Sequence, residues 1–154
     1  MSKASLRFGK LGYKDEIVAD AGIAKAAVYG GCILGGGGGG WIKDGLARSS
    51  LALSLGRVRI IPIESLDEDS VIITASAVGA SGSKDRYVLP INFVEAIEEV
   101  VKVTGVKPDA VVACEIGATG SVNGWIQSLA LGIPVVDAPW EGRAHPTAAM
   151  GSGG

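Results

Sequence analysis

The chain has 154 residues, 47% of them apolar, and a formal net charge of −2. This length suits one domain with a substantial core, while the scattered Lys and Arg residues do not indicate a nucleic-acid or anionic-membrane partner. No apolar run approaches the roughly 18 residues that a membrane span requires. The first residues also lack the apolar core of a signal peptide. Because Cys32 and Cys114 lie in apolar segments and are expected to be free thiols, a cytoplasmic location is expected.

The first part of the chain is predicted to hold two helices separated by glycine. Residues 1–14 are polar and mixed in charge, which predicts a loosely held arm. Apolar residues then recur at helical spacing from Asp15 to about Leu34, and again from Trp41 to Leu55. The six consecutive glycines Gly35–Gly40 separate the two helices, and Gly56 ends the second.

The next part of the chain is predicted to contain strands. Residues Arg57–Ile63 and Ser70–Ala75 are short, β-branched runs joined by an acidic turn. Residues Val78–Arg86 are rich in Gly and Ser and predict a loop. Asn92 and Glu95 have capping-box spacing and predict the start of an amphipathic helix that Gly105 ends.

The stretch from Ala110 to Asp137 reads as a βαβ unit. Residues Ala110–Cys114 form a valine-rich run typical of a buried strand, and Val135–Val136 form a second one. Between them, Ser121 or Asn123 could cap a helix that ends at Gly132. Strands joined by such a crossover are parallel. The alternation of strands and helices therefore predicts an α/β fold with a largely parallel sheet and flanking helices, in a single domain over residues 15–154.

Both strands of this unit finish on a carboxylate, Glu115 and Asp137. Parallel strands end at the same edge of the sheet, and ligands of open parallel sheets bind there. The intervening helix also opens at that edge with its free N–H groups. We therefore predict that Glu115 and Asp137 share a site in which either could activate water.

His145 is the only histidine of the chain and follows Arg143 in the segment Gly-Arg-Ala-His-Pro. It could move protons in the same site. Together with Asp137 or Glu115 and with Glu141 it could also hold one divalent metal ion, although a single histidine cannot build a His-rich metal site. The alternative is a surface histidine without a role.

The glycine run has two interpretations. In one, the backbone N–H groups of Gly36, Gly37, Gly38 and Gly39 approach a ligand oxyanion or phosphate. In the other, the run is a tight corner between helices, packed against another backbone. Nucleotide binding is disfavoured, because the run follows a helix rather than a strand and no Gly-Lys-Ser/Thr follows it.

Four further residues are candidates for substrate binding. Gly117, Ser121 and Asn123 lie in the turn and at the predicted helix start after Glu115. Arg143 could bind a carboxylate or pair with Glu141. No Gly-x-Ser-x-Gly segment surrounds Ser121, so a serine-hydrolase triad is not predicted.

Five segments in this order resemble one known family. They are Leu-Gly-Gly-Gly-Gly-Gly from Leu34, Ile-Ile-Pro-Ile-Glu-Ser-Leu from Ile60, Asp-Ala-Val-Val-Ala-Cys-Glu-Ile-Gly from Asp109, Gly-Ile-Pro-Val-Val-Asp from Gly132 and Gly-Arg-Ala-His-Pro from Gly142. Over about residues 15–150 the chain is similar to the N-terminal domain of the S-methyl thiohydantoin desulfurase family, which is associated with hydantoinases. The family's recurrent positions correspond to Gly35–Gly39, Glu64, Glu115, Gly117, Asp137, Gly142 and Arg143.

The resemblance implies a hydrolase, or a subunit of one, acting on a hydantoin-like cyclic amide or a thiohydantoin ring. The alternative is a non-catalytic subunit that binds a small molecule or assembles a multi-subunit enzyme. Family members continue into a second domain, whereas this sequence stops at Gly154. We therefore expect a second polypeptide chain, or a homo-oligomer, to complete the site.

Overall fold

The computed structural model describes residues 15–77, 79 and 88–143, and these build one five-stranded sheet. The predicted arm 1–14, nearly all of the predicted loop Val78–Arg86, and His145 lie outside the described residues. The sheet has the order β1-β2-β5-β4-β3, and only β1 is antiparallel to its neighbour. Its strands are β1 (Ile17–Val18), β2 (Arg59–Ile61), β3 (Ile72–Ala75), β4 (Ala110–Ala113) and β5 (Val135–Val136). The predicted α/β fold with a largely parallel sheet is confirmed.

Four α-helices accompany the sheet in the described part of the chain: α1 (Ala21–Leu34), α2 (Ile42–Leu55), α3 (Pro90–Thr104) and α4 (Trp125–Leu131). Single 3-10 turns lie at Ile63–Ser65 and Gly120–Val122. Within the described ranges, every helix is too short or too polar to cross a membrane.

The prediction that the first helix begins near Asp15 is wrong. Ile17 and Val18 instead form an edge strand that pairs with β2, and their β-branched side chains suit that conformation. The helix begins only after Asp20, whose side chain accepts a hydrogen bond of 2.8 Å from the Ile23 N–H. An aspartate N-cap of this kind fixes the start of α1.

The two predicted strands after α2 exist but are shorter than expected and do not pair. β5 and β4 lie between β2 and β3, so the connection from residue 62 to residue 71 crosses two strands. Leu66 of this connection packs against a small cluster on one face of the sheet that includes Ile61, Val112 and Val136.

The third helix ends as predicted but begins three residues earlier than predicted. Its first residue is Pro90, and Leu89 is the N-cap. Asn92 is not the cap but lies in the first turn, where its Oδ1 accepts a hydrogen bond of 2.9 Å from the Leu89 N–H. Gly105, with φ 69°, ends the helix in the left-handed conformation.

Neither Ser121 nor Asn123 caps the helix between β4 and β5, which corrects the prediction. Ser121 lies inside a 3-10 turn, and α4 starts after Gly124, whose φ of 98° few other residues would adopt. Asn123 is buried, and its Nδ2 donates a hydrogen bond of 3.2 Å to the Ala75 carbonyl of β3. Its Oδ1 accepts from Gln127 Nε2 at 3.3 Å, so the side chain holds α4 onto the sheet.

The main core lies between the sheet and the helices. Val28 of α1, Ala52 of α2 and Val111 of β4 are completely buried there, and Trp125 of α4 is 2% exposed. Trp125 is the largest of the fully buried side chains in the described part of the chain. This packing fixes α1 beside the carboxyl ends of β4 and β5.

Candidate functional site

The two predicted carboxylates lie at the same edge of the sheet. β4 and β5 are adjacent and parallel, with Val112 opposite Val136, so Glu115 and Asp137 follow neighbouring strand ends. Glu115 is half-buried and Asp137 is exposed. Both side chains line one cleft of about 380 Å³. A cleft at the carboxyl ends of parallel strands is the expected ligand position for this type of sheet.

The cleft has an apolar wall and a polar wall. Helix α1 contributes Ile23, Ala27 and Leu34 together with the glycines Gly30 and Gly31. The ends of β4 and β5 and the turn after β4 contribute its polar side chains, which are Glu115, Ser121 and Asp137. The arrangement can hold a small ligand with one apolar side and one hydrogen-bonding side.

The glycine run packs against the turn that follows Glu115. A Cβ atom on Gly35 would lie 2.6 Å from the Ile116 carbonyl oxygen, and one on Gly39 would lie 2.5 Å from the Gly117 Cα. The Gly39 carbonyl accepts hydrogen bonds of 2.8 Å from the Thr119 N–H and 2.9 Å from the Gly120 N–H. These contacts support the packed-corner interpretation for Gly35 and Gly39.

The middle of the run is more open. Gly36 and Gly37 have φ values of 60° and 94°, and a Cβ atom on Gly37 would meet no other heavy atom within 4 Å. The Arg143 guanidinium lies beside Gly36, 3.3 Å from the position that a Cβ atom would take. None of the predicted ligand-binding residues Gly36–Gly39 lines the cleft, so a ligand role for them stays a prediction.

The segment after β5 is fastened to the continuation of β4. The Trp140 N–H donates a hydrogen bond of 3.0 Å to the Ala113 carbonyl, and the Glu141 N–H donates one of 2.8 Å to the Cys114 carbonyl. Further along, the Ile116 N–H donates to the Gly142 carbonyl, and Arg143 forms a parallel bridge with Ile116. These bonds bring Arg143 to the turn that carries Glu115.

Cys114 adds a side-chain contact that the sequence did not single out. Its thiol donates a hydrogen bond of 3.3 Å to Glu141 Oε2. Burial is the main cause that raises the pKa of this thiol, the hydrogen bond to Glu141 raises it further, and a hydrogen bond with Ser76 lowers it. A raised pKa favours the protonated thiol, which is the form that donates this hydrogen bond. In the sequence, the position of Cys114 directly before Glu115 was the signal that could have pointed to this contact.

Ser121 and Asn123 have different positions relative to the cleft. Ser121 lines it, and its Oγ accepts a hydrogen bond of 3.3 Å from the Gly117 N–H. Asn123 is not among the lining residues and is engaged with Ala75 and Gln127 as described above. The structure therefore brings Ser121 together with Glu115 and Asp137, but not Asn123.

A metal site receives no support from the described residues. Within residues 15–77, 79 and 88–143, no three His, Cys, Asp or Glu side chains are grouped closely enough to hold an ion. His145, the other expected contributor, lies outside these ranges. Residues Glu115 and Asp137 are the carboxylates that the described site offers to a ligand.

The sequence matches the family model described as the S-Me-THD-like N-terminal domain over residues 24–152. No curated protein matches the chain. Among solved structures, the chain is similar to the crystal structure of a protein from Chromobacterium violaceum, with 27% sequence identity and a TM-score of 0.65. The similarity covers 86% of this chain and 37% of that one. The chain thus belongs to the S-Me-THD-like N-terminal domain family.

Proposed function

We propose that this chain, as a member of the S-Me-THD-like N-terminal domain family, provides the ring-binding cleft of a hydrolase acting on a hydantoin-like cyclic amide or a thiohydantoin ring. The observation that carries the proposal is the position of Glu115 and Asp137 after the ends of adjacent strands, where both line one cleft. Two carboxylates beside an apolar wall suit a flat ring that has polar N–H and C=O groups at its edge.

The two carboxylates have different roles in hydrolysis. One accepts a hydrogen bond from a ring N–H and thereby orients the ring, while the other removes a proton from the attacking water. The water oxygen bonds to a ring carbonyl carbon, the ring C–N bond breaks, and the proton passes to the departing nitrogen. On an S-methyl thiohydantoin, water adds to the C=N carbon that carries sulfur, and one of its protons passes to the ring nitrogen. The C–S bond then breaks, the second proton leaves with methanethiol, and a ring carbonyl remains.

The developing oxyanion needs a hydrogen-bond donor, and Ser121 is the best placed. The N–H groups of Thr119, Gly120 and Ser121 already donate to the carbonyls of Gly39 and Gly117. They are therefore less suited to this role than the hydroxyl of Ser121, a residue that lines the cleft. A donor aimed at the oxyanion stabilises the transition state more than the ground state.

A second candidate function is a non-catalytic binding or assembly subunit. The match to an N-terminal domain favours it. Here the cleft binds the ring, and another part of the enzyme supplies the catalytic groups. An active site closed by a partner excludes water, which strengthens its electrostatic interactions.

Turnover of matched variants tests these proposals. Ring opening of hydantoin and methanethiol release from its S-methyl thio-analogue are measured for the wild-type chain and for Glu115→Gln and Asp137→Asn. Loss of the general base is expected to lower turnover about 100-fold or more. Glu98→Gln, at an exposed position of α3, is the control and should retain wild-type turnover.

The outcome also separates the two candidate functions. Ring binding without turnover by the wild-type chain favours the non-catalytic subunit. Folded Glu115→Gln and Asp137→Asn variants that turn over at the wild-type rate would show that the site lies elsewhere.

A further inference from the structure

Helix α1 (Ala21–Leu34) contains two successive glycines, Gly30 and Gly31, four and three residues before its last residue. Glycine destabilises a helix interior relative to alanine, because its backbone loses more conformational freedom on folding. Each of these positions therefore calls for a specific reason to be occupied by glycine.

Gly31 has a packing reason. It is buried, and a Cβ atom at this position would overlap Ser121 Oγ and the Gly117 carbonyl oxygen. The missing side chain lets α1 approach the turn that follows Glu115. Gly31 is thus required by the fold.

Gly30 has no such reason. A Cβ atom at this position would meet no other heavy atom within 4 Å, and its φ is not in the left-handed region. An alanine would fit and would favour the helix. Gly30 lies on the same face of α1 as Ile23, Ala27 and Leu34, and all four line the cleft, so a side chain at position 30 would extend into the cleft.

We propose that Gly30 is a specificity-determining residue that leaves room for an aliphatic substituent on the bound ring. This inference rests on the proposed function, and it narrows the substrate class from bare cyclic amides to rings that carry an aliphatic chain. The ring's polar edge lies toward Glu115 and Asp137, and the substituent lies along α1 at Gly30.

The size and lining of the cleft support this assignment. Its volume of about 380 Å³ lies in the range of about 300–1,000 Å³ found for pockets that hold drug-sized ligands. A bare five-membered ring is smaller than such ligands and would leave much of the cleft unfilled. The wall beside Gly30 is apolar, since Ile23, Ala27 and Leu34 line it. An aliphatic chain gains affinity there by removing apolar surface from water.

Two ligands and three variants test the proposal by calorimetric titration. The ligands are the hydantoins derived from glycine, which is the bare ring, and from leucine, which carries an isobutyl group. The wild-type chain should bind the leucine-derived ring about tenfold more tightly or better, as the burial of four carbons predicts. In Gly30→Leu, the new side chain takes the place of the isobutyl group, so this preference should disappear while affinity for the bare ring stays within about threefold.

The other two variants are controls. Lys25→Leu adds the same side chain to α1 at an exposed position outside the cleft lining, and should keep the wild-type preference. Gly30→Ala should reduce the preference partly and raise the melting temperature, which shows that the helix tolerates a side chain at this position.

Three results would overturn the inference. They are equal wild-type affinity for the two rings, an unchanged preference in Gly30→Leu, and an equal loss of affinity for both rings in that variant. In all three the ring still binds the wild-type chain, so the proposed function stands. If the wild-type chain binds neither ring, the proposed function fails and this inference fails with it.

Discussion

At the scale of single residues, the glycines of this chain separate into those that the fold requires and those that it tolerates. Gly39 and Gly117 lie backbone against backbone, so a Cβ atom on either would overlap the other. Gly37 has a left-handed φ of 94° but open space around it. The sequence shows one uniform run of glycines and cannot distinguish these positions, because the difference depends on what lies opposite each Cα.

This difference predicts distinct stabilities for two alanine variants. Gly37→Ala carries only the strain of a left-handed alanine and should lower the free energy of unfolding by about 1–2 kcal/mol. Gly39→Ala carries the same strain together with the overlap on Gly117, and should cost at least about 2 kcal/mol more. Urea unfolding followed by circular dichroism measures both.

Equal losses for the two variants would contradict the packed corner at Gly39. If the open middle of the run also contacts a ligand, as one of the two interpretations of the sequence holds, Gly37→Ala additionally weakens ring binding.

At the scale of secondary structure, the local sequence pattern predicted the elements whose bounds are set by their own residues. The helix over residues 42–55 and the strands 110–113 and 135–136 were predicted closely, because periodicity and bounding glycines mark them. The start of α1 was missed because Ile17 lies at helical spacing from Ala21 but pairs with Ile60, 43 positions away. The sequence also did not predict that β2 and β3 are separated in the sheet, because the residues of a strand do not specify which other strands it pairs with.

Asn123 illustrates how such a long-range partner can be tested. Its amide group joins β3 to α4 through Ala75 and Gln127 and is buried. Asn123→Ala leaves the buried Gln127 amide without this acceptor, so unfolding free energy should fall by about 1–3 kcal/mol.

The control is Asn92→Ala on the exposed first turn of α3, where the loss should stay near or below about 1 kcal/mol. Chemical unfolding of both variants measures the difference. A smaller loss for Asn123→Ala than for Asn92→Ala would mean that the Asn123 side chain does not hold α4 onto the sheet.

At the scale of the whole molecule, the position of the candidate site could be predicted from the topology of the sheet. Glu115 and Asp137 could be placed together from the sequence, because adjacent parallel strands must end at one edge. The opposite wall of the cleft could not be predicted. Small residues of α1 line it, Ala27 and Gly30 among them, and nothing in the sequence distinguishes them from other helix residues. The chain spans 37% of the similar protein from Chromobacterium violaceum, so the activity of such a longer protein stays a proposal for this one.

The most direct test of the account is to locate a bound ring on the protein by NMR. The leucine-derived hydantoin is titrated into the isotope-labelled chain, and the chemical shifts of the backbone amides and of the Trp125 indole N–H are followed. Binding in the cleft predicts saturable shifts at Gly30, Ser121 and Trp125, which line it, and none at Ile97 on α3, which does not. Shifts confined to α3, or no shifts at all at saturating ligand, would contradict the cleft between α1 and the strand ends as the ring-binding site.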